Sequence, residues 1–165
     1  KLRLSGPYGR FFIKKSTNTP MLFIAGGSGL SSPKSMILDL LNEGCDLPMT
    51  LMYGARSQSE LYYDQEFKDL AAKHPNFTYV ASLSDEPADS GWTGARGFVH
   101  EAAKAHFNND FSGRKAYLCG PPPMIEAAIT TLMQGRLYER DIYAEKFISE
   151  VGSTNTVRSP LFKNI

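Results

Sequence analysis

Short apolar runs, separated by amphipathic segments, set the organisation of this chain. Five runs of four or five residues are mostly apolar and are bounded by turn residues, which is typical of buried strands. The predicted strands are Met21–Ala25, Met49–Tyr53, Phe77–Ala81, Ala116–Cys119 and Asp141–Ala144.

Four segments between these runs place apolar residues three and four positions apart, the spacing of one helix face. Because strand and helix alternate, we predict an α/β fold, a doubly wound five-stranded parallel sheet with helices on both faces. Ligands are then expected at the carboxyl ends of the strands. The apolar stripes are Ile37, Leu40 and Leu41; Tyr63, Phe67, Leu70 and Ala71; Phe98, Val99, Ala102 and Ala103; and Ile125, Ala128, Ile129 and Leu132.

The predicted domain occupies residues 16–150, and its longest loop is Ser84–Gly97, after the third strand. Residues 1–15 begin with an alternating stretch that is typical of a strand, so we expect them to end a preceding domain. Residues 151–165 are polar and have no periodic stripe, and we predict a C-terminal tail there.

Composition narrows the classes of function. Hydrophobic residues make up 42%, charged residues 21%, and the net charge is +1. These values give no reason to expect nucleic acid or a membrane as a partner. Cys45 and Cys119 lack metal-ligand spacing, so no metal site is predicted, and free cysteines favour a cytoplasmic setting.

A glycine-rich loop follows the first strand. Gly26, Gly27 and Gly29 allow a sharp turn and close approach to a ligand, while Ser32 and Pro33 are predicted as N-cap and first residue of a helix. A strand, a glycine loop and a helix N-terminus make an anion site. The third glycine of the dinucleotide fingerprint is absent, as is its ribose-binding acid. A tight turn without a ligand therefore remains an alternative.

The second motif is YLCGPPPM, residues 117–124. It ends an apolar strand with Cys119–Gly120, and its three prolines fix a rigid loop that would hold a flat ring. Alone, Cys119 is more typical of a small buried hydrophobe. Beside a glycine loop on a neighbouring strand, it indicates a ligand pocket.

Four segments, in this order, resemble the ferredoxin–NADP reductase superfamily in its NADH-oxidising branch. They are GPYGRF (Gly6–Phe11), AGGSGLSSP (Ala25–Pro33), CGPPPM (Cys119–Met124) and YAEKF (Tyr143–Phe147). Four stretches are similar to the reductase components of bacterial phenol hydroxylases and related multicomponent aromatic or alkene monooxygenases: LSGPYGRF, MILDLL, GWTGARGFVHEAAKAHF and CGPPPMIEA.

The resemblance implies a set of cofactor-binding residues. The residues implied to cradle the dinucleotide are Gly26, Gly27, Ser28 and Gly29, with Ser28 near the nicotinamide. Those implied to surround the nicotinamide ring are Cys119, Gly120, Pro121 and Met124. Those implied to line the adenosine end are Arg56 and the stretch Glu60–Tyr62, including Tyr62.

The resemblance also implies a flavin side to the site. Cys119 and Glu145 would be the catalytic residues, and Phe147 would occupy the nicotinamide slot until NADH displaces it. A core aromatic closing the last strand is the alternative for Phe147. His74, His100 and His106 have no partner suited to catalysis and are predicted at the surface or at helix ends.

The implied function is transfer of a hydride from NADH to FAD, and then of electrons through a [2Fe–2S] centre to an oxygenase hydroxylase in aromatic hydrocarbon catabolism. NADH is favoured although Arg56 would suit the 2′-phosphate of NADPH. The cluster's cysteine run and the flavin-binding Arg-x-Tyr-Ser segment are absent from this sequence, so we expect FAD and [2Fe–2S] in a preceding part and little activity from this chain alone. The alternatives are a non-catalytic pyridine-nucleotide-binding regulatory module, an FMN-binding domain, and the reductase of a Rieske-type dioxygenase.

Overall fold

The computed structural model describes residues 11–15 and 18–146. The first residues of GPYGRF, Phe147 and the predicted tail 151–165 lie outside the described residues.

One parallel sheet of six strands forms the centre of the domain, in the order β4-β3-β2-β1-β5-β6. The strands are β1 Met21–Gly26, β2 Met49–Ala55, β3 Phe77–Leu83, β4 Ala95–Arg96, β5 Lys115–Gly120 and β6 Ile142–Lys146. The five predicted strands are all confirmed.

The additional strand, β4, lies inside the predicted loop Ser84–Gly97 and pairs with Ser82 and Leu83 of β3. Two residues, one of them an arginine, carry no apolar pattern from which a strand could be predicted.

Four helices cover the two faces of the sheet: α1 Ser31–Asn42, α2 Asp64–Lys73, α3 Val99–His106 and α4 Pro122–Gln134. Buried residues of α1 and α2 pack in one core cluster, and those of α3 and α4 in the other. The doubly wound α/β prediction is therefore confirmed. Within the described part of the chain, the helices are too short or too polar to cross a bilayer.

The predicted start of α1 is wrong. A 3-10 turn, Gly27–Leu30, leads directly into the helix, so α1 begins at Ser31 and Leu30 is its N-cap. Ser32 lies inside the first turn and Pro33 is the third helical residue, not the first. Proline is tolerated there because an N–H in the first turn has no intrahelical acceptor.

Two residues of the predicted helical stripes do not face the core. Tyr63 and Phe98 each stand immediately before a helix, at the N-cap, and their side chains are 58% and 62% exposed. A residue at this position is outside the helical repeat, so its spacing to later apolar residues does not place it on their face. Tyr63 is left-handed (φ 57°), and the Lys34 ammonium lies 3.4 Å from its ring centroid.

Candidate functional site

The two sequence motifs follow neighbouring parallel strands and lie side by side at the carboxyl edge of the sheet. Strands β1 and β5 are neighbours, with Ala25 opposite Cys119. After β1 the chain enters α1 on one face, and after β5 it enters α4 on the other face. In a doubly wound sheet this divergence opens a crevice at the carboxyl ends of the strands.

The two loops touch through their backbones. A Cβ on Gly29 would lie 2.6 Å from both the Cys119 carbonyl carbon and the Gly120 Cα, so no side chain fits there. A Cβ on Gly26 would overlap the Met124 sulfur. Gly27 is left-handed (φ 54°), and a Cβ there would meet nothing within 4 Å. The glycine loop and the Cys119–Met124 loop thus form one continuous wall.

A cavity of about 700 Å³ extends along this wall and across the ends of β2 and β3. Six predicted cofactor-binding residues line it: Gly26, Gly27, Arg56, Tyr62, Pro121 and Met124. Five other predicted site residues do not line it: Ser28, Gly29, Cys119, Gly120 and Glu145. Gly29, Cys119 and Gly120 are buried at the base of the glycine wall.

Cys119 is fully buried, and burial raises the pKa of its thiol to about 11. A hydrogen bond with the Ser32 side chain acts in the opposite direction, and the charge of Glu145 raises the pKa further. Glu145 is the register partner of Cys119 on β6 and is partly exposed. Cys119 therefore remains a neutral thiol near pH 7, buried behind the cavity wall, and is not suited to nucleophilic attack.

The loop after β2 builds the opposite end of the cavity. The guanidinium Nε of Arg56 lies 3.6 Å from Glu60 Oε1, and the Arg56 N–H donates to Glu60 Oε2 at 3.4 Å. The hydroxyl of Tyr53 donates to the Glu60 carbonyl and accepts the Tyr62 N–H, at 3.4 and 3.5 Å. These contacts fold the loop over the end of β2.

A second loop, between β3 and β4, is tied to the first. The Glu86 carboxylate accepts the Gln58 N–H at 2.8 Å and the Gln58 side-chain amide at 2.5 Å. These hydrogen bonds hold the pKa of Glu86 below its ordinary value. Arg96 donates to the Glu86 and Trp92 carbonyls, and the Trp92 indole N–H donates to the Ala95 carbonyl at 2.9 Å.

The cavity also contains residues that the sequence prediction missed. Phe98 and His100 stack at 5.8 Å between centroids, with 12° between ring planes, and both line the cavity. Gly54, which also lines the cavity, packs closely against α3, since a Cβ on it would be 2.9 Å from Val99 Cβ. The sequence signal that could have indicated Phe98 is its position between Gly97 and the start of α3.

The histidine prediction is confirmed in its placement at helix ends. His100 is the second residue of α3, His106 is its last residue, and His74 caps α2. His100 nevertheless faces the cavity.

The geometry fits an extended ligand with a flat ring at each end. The lining combines a glycine wall with the exposed rings of Tyr62 and Phe98, and the volume is in the usual range for ligand pockets. In the part of the chain that the structure describes, no cluster of His, Cys, Asp and Glu is placed to hold a metal ion.

The family model described as the oxidoreductase NAD-binding domain matches residues 23–130. The chain belongs to this family. It is an NAD-binding oxidoreductase domain of the ferredoxin reductase superfamily, which confirms the resemblance carried by its motifs. The match includes the glycine loop, β2, β3, and the loop from Cys119 to Met124.

Among curated proteins, the domain is 59% identical over 165 residues to the reductase component DmpP of phenol 2-monooxygenase from Pseudomonas sp. (strain CF600). It is 52% identical over 166 residues to the phenol hydroxylase P5 protein of Acinetobacter pittii (strain PHEA-2). These alignments cover 99% and 100% of the chain but 47% of each relative. The chain spans about half the length of the curated relatives it matches.

Solved structures show the same fold. The cytochrome P450 reductase GcoB of Amycolatopsis superposes with a TM-score of 0.77 at 32% identity, over 86% of this chain and 42% of that one. The ferredoxin reductase in carbazole 1,9a-dioxygenase gives 0.73 at 27% identity, over 86% and 41%.

Proposed function

We propose that this chain is the NADH-binding part of the reductase of a multicomponent monooxygenase of the phenol hydroxylase type. The observation that carries the proposal is the single cavity wall formed by the glycine loop after β1 and the Cys119–Met124 loop after β5. The 59% and 52% identities to phenol hydroxylase reductase proteins support this class of oxygenase.

The nicotinamide is proposed to lie at the glycine end. Gly26 and Gly27 present a surface free of side chains to the ring, and Pro121 and Met124 form its sides. Cys119 lies behind this surface as a neutral thiol, in register with Glu145. When bound, NADH supplies a hydride, which the protein directs to a flavin by fixing distance and excluding water. We retain Cys119, behind the nicotinamide surface, and Glu145, on the flavin side, as the proposed catalytic residues.

The adenosine is proposed to lie at the aromatic end. Tyr62 and Phe98 each expose more than half of their side-chain surface and line the cavity, so they offer faces on which a base would stack.

The contacts of the arginine side chains near this end favour NADH over NADPH. The Arg56 guanidinium is paired with Glu60 and that of Arg96 is used by backbone carbonyls, which leaves little free positive charge for a 2′-phosphate.

We further propose that FAD and a [2Fe–2S] cluster are held by the rest of a longer protein, which precedes residues 16–150, and that residues 151–165 are a tail. The 47% coverage of the phenol hydroxylase relatives is consistent with this division. The electron acceptor would be the hydroxylase component of the oxygenase, and the setting would be cytoplasmic.

The proposal is tested by anaerobic stopped-flow reduction of the flavin in the full-length protein. We expect NADH to reduce the flavin faster than NADPH does. We expect Cys119→Ala and Gly27→Val to slow this reduction by about tenfold or more, since they disturb the surface that positions the ring.

Cys45→Ala is the matched control. Cys45 is partly exposed and follows α1, at the amino end of the strands, so its loss should leave the rate unchanged. If Cys119→Ala and Gly27→Val both reduce at the wild-type rate, the site assignment is wrong.

A second candidate is the reductase of a dioxygenase system. The likeness to the ferredoxin reductase in carbazole 1,9a-dioxygenase favours it, at 27% identity. Assay of electron delivery to a diiron hydroxylase and to a Rieske-type dioxygenase separates the two. A chain that binds NADH but never reduces flavin would instead be a regulatory module.

A further inference from the structure

Residues 11–15 are held against the domain by a buried tyrosine. The backbone N–H of Lys14 donates to the hydroxyl of Tyr117 at 3.0 Å, across 103 positions of sequence. The ring of Phe11 meets the edge of the Tyr117 ring at 6.3 Å, and Ile13 packs against the same core cluster. The Tyr117 side chain is thus the inner attachment of this segment.

Lys15, the next residue after Lys14, forms a second attachment through ion pairs. The Lys15 ammonium is 3.2 Å from Asp39 Oδ2 on α1 and 2.6 Å from Glu43 Oε1, just beyond it. These side chains are more than half exposed, so the pairs contribute little in water. The buried hydroxyl is therefore the more specific of the two attachments.

The inner attachment lies close to the proposed nicotinamide end. Tyr117 stacks between Phe23 and Tyr143, its register partners, at 5.4 and 5.1 Å. Two residues farther along the same strand, and on the same face, stand Cys119 and its partner Glu145. Two residues of a strand span about 6.6 Å. The attachment is therefore two residues along the strand from Cys119, proposed behind the nicotinamide, and from its partner Glu145, proposed on the flavin side.

We propose that the Tyr117 hydroxyl is a positioning group. It fixes residues 11–15 against β5 and thereby sets where the preceding, flavin-bearing part stands relative to the nicotinamide end. The effect on the flavin-bearing part rests on the proposed function, because that function places the flavin in the part of the protein before this domain.

The test uses Tyr117→Phe in the full-length reductase, which keeps the ring and removes the acceptor. We expect backbone hydrogen exchange of residues 11–15 to become faster, because the hydrogen bond between the Lys14 N–H and the Tyr117 hydroxyl is removed. We expect flavin reduction at saturating NADH to slow by about tenfold, since small misplacement of reacting groups costs rate. The dissociation constant for NADH should stay unchanged, because the cavity does not include Tyr117.

Tyr79→Phe is the matched control. It removes another tyrosine hydroxyl of a sheet strand, one that donates a hydrogen bond to Asp64 at 2.9 Å, but Tyr79 lies on β3, away from residues 11–15. A general loss of stability would affect both variants alike. Slowing of the same size in Tyr79→Phe would overturn the proposal, as would unchanged exchange of residues 11–15 in Tyr117→Phe.

A second pair of variants removes the donor instead of the acceptor. Lys14→Pro deletes the N–H, whereas Lys14→Ala keeps it and deletes the same side chain. We expect slower flavin reduction in the proline variant than in the alanine variant, and equal rates would count against a positioning role. If the wild type binds NADH without reducing flavin, the proposed function fails, while exchange of residues 11–15 still decides whether Tyr117 holds them.

Discussion

Two glycines of the site are required for different physical reasons. Gly29 has backbone atoms of β5 where its Cβ would stand, so its role is steric. Gly27 has open space there but a left-handed backbone, so its role is conformational. The distinction gives a prediction at the scale of the residue.

We expect Gly29→Ala to lower the free energy of unfolding by about 2–3 kcal/mol, because overpacking against backbone is relieved only by moving a strand or loop. Gly27→Ala should cost about 1 kcal/mol, the price of a left-handed conformation for a residue with a Cβ. Urea denaturation of both variants checks this ranking. Equal losses would show that the contact between Gly29 and Cys119 yields easily.

Gly26, Gly27, Arg56 and Tyr62 were predicted in the site and line the cavity, but Phe98 and His100 were not predicted there. A glycine-rich loop between an apolar strand and a helix is a visible sequence signal, whereas Phe98 fits the spacing of the α3 stripe. Its position one residue before the helix decides its exposure. That helix boundary depends on tertiary contacts such as the hydrogen bond from the Ser82 hydroxyl to the Gly97 carbonyl, at 2.7 Å.

At the scale of the element, two loops at the carboxyl edge work as one unit. The short 3-10 helix Gln58–Glu60 after β2 receives the Glu86 carboxylate at its N-terminal end, from the loop after β3. A carboxylate is favoured there by the unpaired N–H groups. Both loops flank the proposed adenosine end, so this contact maintains its width.

We expect Glu86→Ala to raise the KM for NADH by about three- to tenfold, the equivalent of one or two lost hydrogen bonds, with little change in kcat. Steady-state kinetics of the full-length protein measure the split. Because its pKa is lowered, the Glu86 carboxylate should keep this contact below the ordinary titration range of glutamate and lose it as the pH falls further.

Asp110→Asn is the control for Glu86→Ala. Asp110 is likewise exposed to solvent, and its pKa is lowered by hydrogen bonds from Ser112, but it lies before β5 at the opposite edge of the sheet. A rise in KM in this variant would mean that loss of negative charge alone weakens NADH binding.

Short apolar runs that alternate with helical stripes predicted most of the elements. A parallel sheet that is buried on both faces requires such continuous apolar runs in its strands. The five predicted strands each lie within two residues of the observed bounds. The short β4 and the 3-10 turn before α1 escaped prediction, since both are set by neighbouring strands and loops rather than by their own composition.

At the scale of the whole molecule, several ionisable side chains are buried in their neutral form. Burial raises the pKa values of Cys119, Tyr53, Tyr79 and Tyr117, all on the central strands. A group whose folded-state pKa is raised contributes stability that is complete below its unfolded pKa and is lost as the pH rises through the folded value. The fold should therefore weaken in alkali.

For Cys119 the pKa rises from 9.0 to about 11. The stability that depends on its neutral thiol is therefore lost between pH 9 and pH 11. We expect wild type to lose about 2 kcal/mol more than Cys119→Ala between pH 9 and pH 11. Urea denaturation across this range gives the comparison. Parallel curves would mean that the thiol titrates normally in the folded protein.

The loop between β3 and β4, whose first residue Ser84 lines the cavity, contains Trp92, the single tryptophan of the sequence, and its indole N–H donates to the Ala95 carbonyl. Indole emission overlaps the absorption band of reduced nicotinamide. This domain therefore carries a fluorescent donor of its own, in a loop that reaches the cavity, and we expect bound NADH to quench it as the energy acceptor. Occupancy of the cavity then becomes an optical quantity that needs no attached dye.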